Sequence, residues 1–262
     1  MLNFPKIENP QRMSNFRLIS LISSLYKILF KLLANRLRKV VGKVVSESES
    51  TFVQGRQILD GILIANELVD DAHMLKRELL MFKEDFEKAY DSVDWRYLAE
   101  VMGKMNFSFV WRKWMMECVC SASASVLVNG SPTDEFILER RLRQSDPLFP
   151  FLFLLAAEGL NVMMNAMVNN GLFSGYNVGA QDALSVAHLQ YVDDTLLIGG
   201  KSWANVHALE NVLLLFEKIS RLKVHFHKSM LFGINVNGSG LHEASVVLNC
   251  KHDCLPFVSV EK

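Results

Sequence analysis

Two adjacent carboxylates, Asp193 and Asp194, interrupt an apolar run of alternating character, His188-Leu-Gln-Tyr-Val-Asp-Asp-Thr-Leu-Leu-Ile198. A strand interior excludes aspartate. The run is therefore expected to fold as a tight hairpin, one strand ending at Val192 and the next beginning at Thr195, with both acids at the tip. Acids this close repel one another unless a proton or a cation neutralises them. A divalent metal fits if a third carboxylate comes near. Asp85, which follows the apolar run in Leu79-Leu-Met-Phe-Lys-Glu-Asp-Phe86, is the candidate. The same residues also fit a solvated turn that holds no ion, and so short a pattern does not choose between the two.

With 262 residues, half of them hydrophobic, the chain can bury one large core or two packed subdomains and is globular rather than disordered. No segment has the basic-then-apolar layout of a secretory leader. The longest apolar stretch, Leu148 to Ala157, contains Pro150 and meets Glu158. That is short for a bilayer span and reads as a buried helix. Four cysteines form two loose pairs, Cys118/Cys120 and Cys250/Cys254. Neither has zinc-ligand spacing, and His252 does not complete a tetrahedral set, so reduced thiols are expected. The zero net charge hides an asymmetry: residues 1–43 carry nine Lys or Arg against Glu8 alone, while residues 44–95 carry five against twelve acids. This suits a protein that grips a polyanion and gathers cations at its chemistry; two solvated surfaces are the plainer reading.

Apolar residues from Leu25 to Val44 recur at helical spacing, with Ser23 or Ser24 as the cap and a basic stripe on the other face. A second helical pattern runs from Ile58 to Ala72. Leu79 to Phe86 reads as a strand, and Asp94 as the cap of a helix through Met105. Ser123–Val128 and Asp134–Leu138 read as a hairpin about Asn129-Gly130. A long apolar helix then ends near Asn170-Gly171. After the paired acids come a helix from Trp203 to Ile219 and a strand from Leu222 to Phe226. Strands and helices alternate without a regular βαβ period, which makes the fold class α+β.

The words around the acids occur in a fixed order. They are Phe82-Lys-Glu-Asp-Phe-Glu-Lys-Ala-Tyr-Asp-Ser-Val-Asp-Trp95, Arg140-Arg-Leu-Arg-Gln-Ser-Asp-Pro-Leu-Phe-Pro-Phe-Leu-Phe153 and Leu189-Gln-Tyr-Val-Asp-Asp-Thr195. Together they resemble motifs A, B and C of the reverse transcriptase of LINE-type, non-LTR retrotransposons, especially those of plants. Phe16-Arg-Leu-Ile-Ser-Leu21, Ala34-Asn-Arg-Leu37, Phe52-Val-Gln-Gly-Arg-Gln-Ile-Leu-Asp60 and Phe226-His-Lys-Ser229 resemble further blocks of that domain. The resemblance extends from Lys6 to Phe257.

It implies a right-hand polymerase core, with fingers over residues 1–78 and a palm over 79–262, whose antiparallel sheet is backed by helices. Residues 131–150 would form a finger-side loop and the start of motif B. Asp85, Asp193 and Asp194 would hold two Mg²⁺ ions. Tyr90 would lie under the sugar of the incoming nucleotide, Arg143 and Gln144 against nucleotide and template, and Arg17 and Arg56 against triphosphate or template backbone. Lys228 would donate a proton to departing pyrophosphate. The implied partners are an RNA template, a DNA primer and deoxynucleoside triphosphates, with no membrane. The implied setting is the nucleus or a cytoplasmic ribonucleoprotein, and not a secreted one.

The sequence departs from the family at Arg141 and Ser145, where glycines are usual, at Phe149 for serine, at Leu18 for proline and at Arg221 for glycine. The segment after Phe257 also departs, which suggests a fragment without thumb or endonuclease. Two other readings stand beside the polymerase: a remnant that at most binds RNA, and another two-metal palm enzyme such as a nucleotidyl cyclase.

Overall fold

In the computed structural model, the apolar run ending at Asp85 is the central strand of a six-stranded sheet. The structure describes residues 2–5, 8–9, 11, 16–19, 24–46, 53, 55–87, 92–120, 123–125, 127–128, 130–137, 146–179, 184–191 and 194–254. In chain order, β1 (Leu2–Pro5) and β2 (Phe16–Ile19) precede helices α1 (Ser24–Val41) and α2 (Ile58–Leu75). Strand β3 (Leu79–Glu87) leads to α3 (Trp95–Lys104) and α4 (Phe109–Cys120). Four short strands follow, β4 (Ser123–Ala124), β5 (Leu127–Val128), β6 (Ser131–Pro132) and β7 (Phe136–Ile137). After helix α5 (Phe149–Asn169) come β8 (Tyr176–Val178), β9 (Leu184–Val186), β10 (His188–Tyr191) and β11 (Asp194–Gly200). Helix α6 (Trp203–Ser220), β12 (Lys223–Val224), β13 (Met230–Ile234), α7 (Gly238–Val247) and β14 (Lys251–Cys254) complete the order.

Two compact units emerge, Met1–Val44 with Lys88–Ala156, and Val45–Glu87 with Ala157–Lys262. In the first, α1 forms as its periodicity foretold, but it buries Phe30, Leu33, Ala34, Leu37 and Val41, while Leu25, Ile28, Leu29, Leu32 and Val40 of the expected apolar stripe are exposed. Phe149 packs on Phe30 with ring centroids 6.0 Å apart. Helix α3 starts at Asp94, whose carboxylate accepts from the Arg96 and Tyr97 amides and so caps the helix as expected. The Tyr97 hydroxyl donates to the Ala156 carbonyl at 2.8 Å. The hairpin around Gly130 is broken midway: Ala124 faces Phe136 and Leu127 faces Pro132. Gly130 has φ +83, as such a turn demands.

The second unit holds the large sheet, ordered β10-β11-β3-β13-β14, with β12 pairing the end of β3. All pairs are antiparallel except β13 with β14, which is parallel. Along β3 the faces alternate. Leu79 and Met81 join Leu68 and Ala72 of α2, Leu189, Ile198 and Ile234 in one buried cluster. On the opposite face Phe86 meets Phe216 of α6, ring centroids 6.1 Å apart.

Helix α5 ends at Asn169, where the sequence suggests. It is long and apolar enough by length and composition for a membrane span, yet most of its apolar stretch is buried within the protein. Pro150 is tolerated because it sits in the first turn, where its missing amide has no helical partner to lose. Glu158 does not stop the helix either, since its carboxylate accepts from the Ser46 amide and from Asn161 Nδ2. Burial still pushes this acid above the usual carboxylate range, against the pull of those bonds and of Arg56.

Candidate active site

Asp85 and Asp194 are direct cross-strand partners in the antiparallel pairing of β3 and β11. Both main-chain groups of Asp85 turn away from β11. Its amide donates to Ser229 Oγ at 3.1 Å, and its carbonyl accepts from the His225 amide at 2.6 Å. Asp85 and Asp194 are therefore a non-hydrogen-bonded pair, the narrow kind, with α-carbons about 4.5 Å apart. Two carboxylates converge there from positions 109 residues apart in the chain. Asp194 is exposed and Asp85 half-buried, so the pair opens to solvent.

The hairpin tip differs by one residue from expectation. Tyr191 and Asp194 form the last described pair, so Asp194 begins the second strand. The reason is register: the side-chain period of two puts Asp194 on the open face with Asp85 and Lys83, and Thr195 on the buried one. Lys83 Nζ lies 3.7 Å from Asp194 Oδ1.

Helix α2 covers this face of the sheet as far as Tyr191. A Cβ built on Gly61 would fall 2.7 Å from Tyr191 Cζ, so only glycine admits the ring beside the acids. Neither Gly61 nor Ser229 was singled out from the sequence. The close approach at Gly61 leaves no sequence trace beyond the glycine itself.

Behind the acids the buried face carries a polar row, Glu84 opposite Thr195 and Thr195 opposite Gln190. All three side chains are at most 3% exposed. Neither carboxylate oxygen of Glu84, nor Thr195 Oγ1, has a hydrogen-bond partner among the described residues. Burial, then the nearby Glu217 and Asp85, push the Glu84 carboxyl well above the usual range. Two residues before Gln190, burial lowers His188 to about 4.

The other expected site residues are dispersed or undescribed. Asp193, Tyr90, Arg143 and Gln144 lie outside the described residues, as do Arg141 and Ser145. Arg17 pairs with Phe4 through the backbone of β2; its side chain is likewise outside them. Arg56 donates from Nη1 to the Ser46 carbonyl and stands by Glu158. Lys228 lies in the turn after β12, its amide donating to the His225 carbonyl at 2.8 Å. Phe149 is 1% exposed, so the bulk that replaces serine there goes into the core. Arg221 takes the left-handed conformation, φ +63, that its glycine-like position suggests. The strand expected from Leu222 to Phe226 is only Lys223–Val224, because the chain leaves it to bond Asp85.

Carboxylate oxygens are hard donors of the kind Mg²⁺ prefers. Asp85 and Asp194 offer two such groups side by side. Among the described residues no set of three or more His, Cys, Asp or Glu gathers as a metal site. The pair fits a divalent cation, provided a further acid joins it.

Comparison with known proteins gives a consistent set. The family described as "Reverse transcriptase (RNA-dependent DNA polymerase)" matches residues 5–245. The Transposon TX1 uncharacterized 149 kDa protein of Xenopus laevis is 27% identical over 252 residues, 96% of this chain and 18% of that protein. A Retrovirus-related Pol polyprotein from type-1 retrotransposable element R2 of Popillia japonica is 25% identical over 73% of this chain and 26% of its own length. The chain thus spans about a fifth to a quarter of these relatives. Among solved structures, apo telomerase of Candida tropicalis truncated from its C-terminal domain superposes with TM-score 0.52 at 14% identity, covering 82% of this chain and 41% of that one. At that identity the likeness speaks for the fold alone.

Proposed function

The chain belongs to the reverse transcriptase family, RNA-dependent DNA polymerases, and from that premise we propose that it is a nucleotidyl-transfer core that extends a DNA primer on an RNA template. The observation that carries the reading is the narrow pairing of Asp85 with Asp194 on an open sheet face. Asp193, next to Asp194 in sequence, is the acid that would complete the set. Two Mg²⁺ ions held there would favour attack by the primer hydroxyl and offset charge on departing pyrophosphate. The chain's own residues would place them: β3 supplies Asp85, the β10–β11 hairpin supplies the other two.

In this proposal Lys228 Nζ holds a proton for the pyrophosphate. Tyr90 screens the sugar, Arg143 and Gln144 meet nucleotide and template, and Arg17 meets phosphate through its paired donors. Arg56 is the weakest member, because its guanidinium already braces Ser46 beside Glu158. The fingers (1–78) and palm (79–262) division, deoxynucleoside triphosphate substrates and a nuclear setting with nicked DNA as primer belong to the same proposal. Likeness to relatives from transposable elements supports it.

Primer extension by the purified chain on an RNA template, with Mg²⁺ and deoxynucleoside triphosphates, tests the reading. Extension that Asp85→Asn and Asp194→Asn abolish is the expected result. Salt-sensitive RNA binding without extension would make the chain a non-catalytic remnant, and a cyclic product from ATP or GTP alone would make it a cyclase.

A further inference from the structure

On one side of β3 the pairing with β11 is continuous from Leu79 to Asp85. On the other side it is interrupted. Strand β13 pairs with residues Leu79 to Lys83, and β12 with Phe86 and Glu87. Glu84 and Asp85 fall in the gap, which the chain bridges with a tight turn from His225 to Ser229. An amide in such a gap has no strand to receive it. Here a side chain does: the Asp85 amide donates to Ser229 Oγ at 3.1 Å.

Ser229 is 1% exposed and all its polar groups are engaged. Its hydroxyl donates to the His225 carbonyl at 3.2 Å, and its amide donates to the same oxygen at 2.9 Å. Its carbonyl accepts from the Lys251 amide at 3.2 Å, which ties the turn to β14. The His225 amide in turn closes on the Asp85 carbonyl. Both main-chain groups of Asp85 are thus held by one turn, and the direction of its Cβ is fixed with them. Lys228 sits in that turn, one residue from the contact.

We propose that Ser229 is a positioning residue, which through its hydroxyl holds the Asp85 backbone so that the two acids stay opposed at the distance a shared cation needs. The inference rests on the polymerase reading of Asp85. A displacement of about 1 Å at a reacting group is enough to cost two orders of magnitude in rate. A hydroxyl that fixes one edge of the pair therefore has a measurable effect without touching substrate.

The test compares the full chain with Ser229→Ala and Ser229→Thr. Mn²⁺ binding is followed by electron paramagnetic resonance, primer extension gives kcat and KM for the nucleotide, and NMR gives exchange of the Asp85 amide. The alanine variant should melt cooperatively, bind Mn²⁺ about tenfold more weakly and lose about tenfold or more in kcat with KM unchanged, while threonine restores both. Its Asp85 amide should exchange faster. Wild-type Mn²⁺ affinity and kcat in Ser229→Ala would overturn the proposal and leave the polymerase reading intact. If the unaltered chain neither binds Mn²⁺ nor extends, the polymerase reading falls instead. The exchange rate then still decides whether Ser229 holds Asp85, unchanged protection overturning it. Should Ser229→Ala fail to fold, Ser229→Cys carries the same expectation and the same refutation, since a thiol is a poor acceptor.

Discussion

The Tyr191 ring fills the space in which a side chain at residue 61 would begin, with Cζ 2.7 Å from where a Gly61 Cβ would stand. Tyr191 is also the cross-strand partner of Asp194, so helix α2 and the acidic hairpin are locked by a missing side chain.

Gly61→Ala therefore sets two effects against each other. Helix propensity gains about 1 kcal/mol from the change. Forcing the ring aside costs about 1–3 kcal/mol. The clash prevails, and the variant should lose stability in urea unfolding, together with extension activity. Adding Tyr191→Leu should recover part of the stability and show non-additivity between contacting residues.

The pH dependence of stability should be a difference between two buried groups. His188 falls from 6.5 unfolded to about 4 folded, so its contribution is present above pH 6.5 and is lost as pH drops toward 4, about 3 kcal/mol in all. Glu84 has the opposite sign. Its folded value is raised, so its contribution is intact below about 4.5 and is lost as pH rises toward that higher value. Denaturant melts from pH 4 to 8 should show His188→Gln flattening the acid side, and Glu84→Gln raising stability at neutral pH.

Arg221 ends α6 in the left-handed region, its amide bonded to the Glu217 carbonyl. A side chain there costs about 1 kcal/mol that glycine does not. Arg221→Gly should raise the melting temperature, whereas Arg221→Ala, which keeps a Cβ, should not.

Asn205 is 4% exposed and joins three segments. Its Oδ1 accepts from the Ser174 amide, and its Nδ2 donates to the Ser174 and Gly200 carbonyls. Asn205→Ala leaves these groups without their partner and should cost about 3 kcal/mol in equilibrium unfolding. Asn205→Asp, which keeps the acceptor but sets a buried carboxylate oxygen against the two carbonyls, should cost at least as much.

The sheet was legible where its signals were local. An apolar run ending in an acid gave β3, and the paired acids gave the hairpin to within one residue. Helix α4 was missed because Phe109, Val110 and Trp114 are exposed, so its apolar residues do not fall on one face. Helix α7 was hidden by Gly238 and Gly240, although Asn237 caps it by accepting from the Gly240 amide. Strand β14, Lys-His-Asp-Cys, has no alternation to read; its parallel pairing with β13 selects it. Ser229 falls in a block that the resemblance marks, but its role could not be read, since it depends on a gap between two strands and on an acid 144 residues upstream.

Among the described residues, β14 is an edge of the large sheet, and Lys251, His252 and Asp253 are all exposed. An edge strand can template the addition of another chain, and hydrophilic, charged side chains are a common defence. Replacing this trio with valines should favour fibrous growth from that edge, with the face that carries Asp85 and Asp194 left untouched.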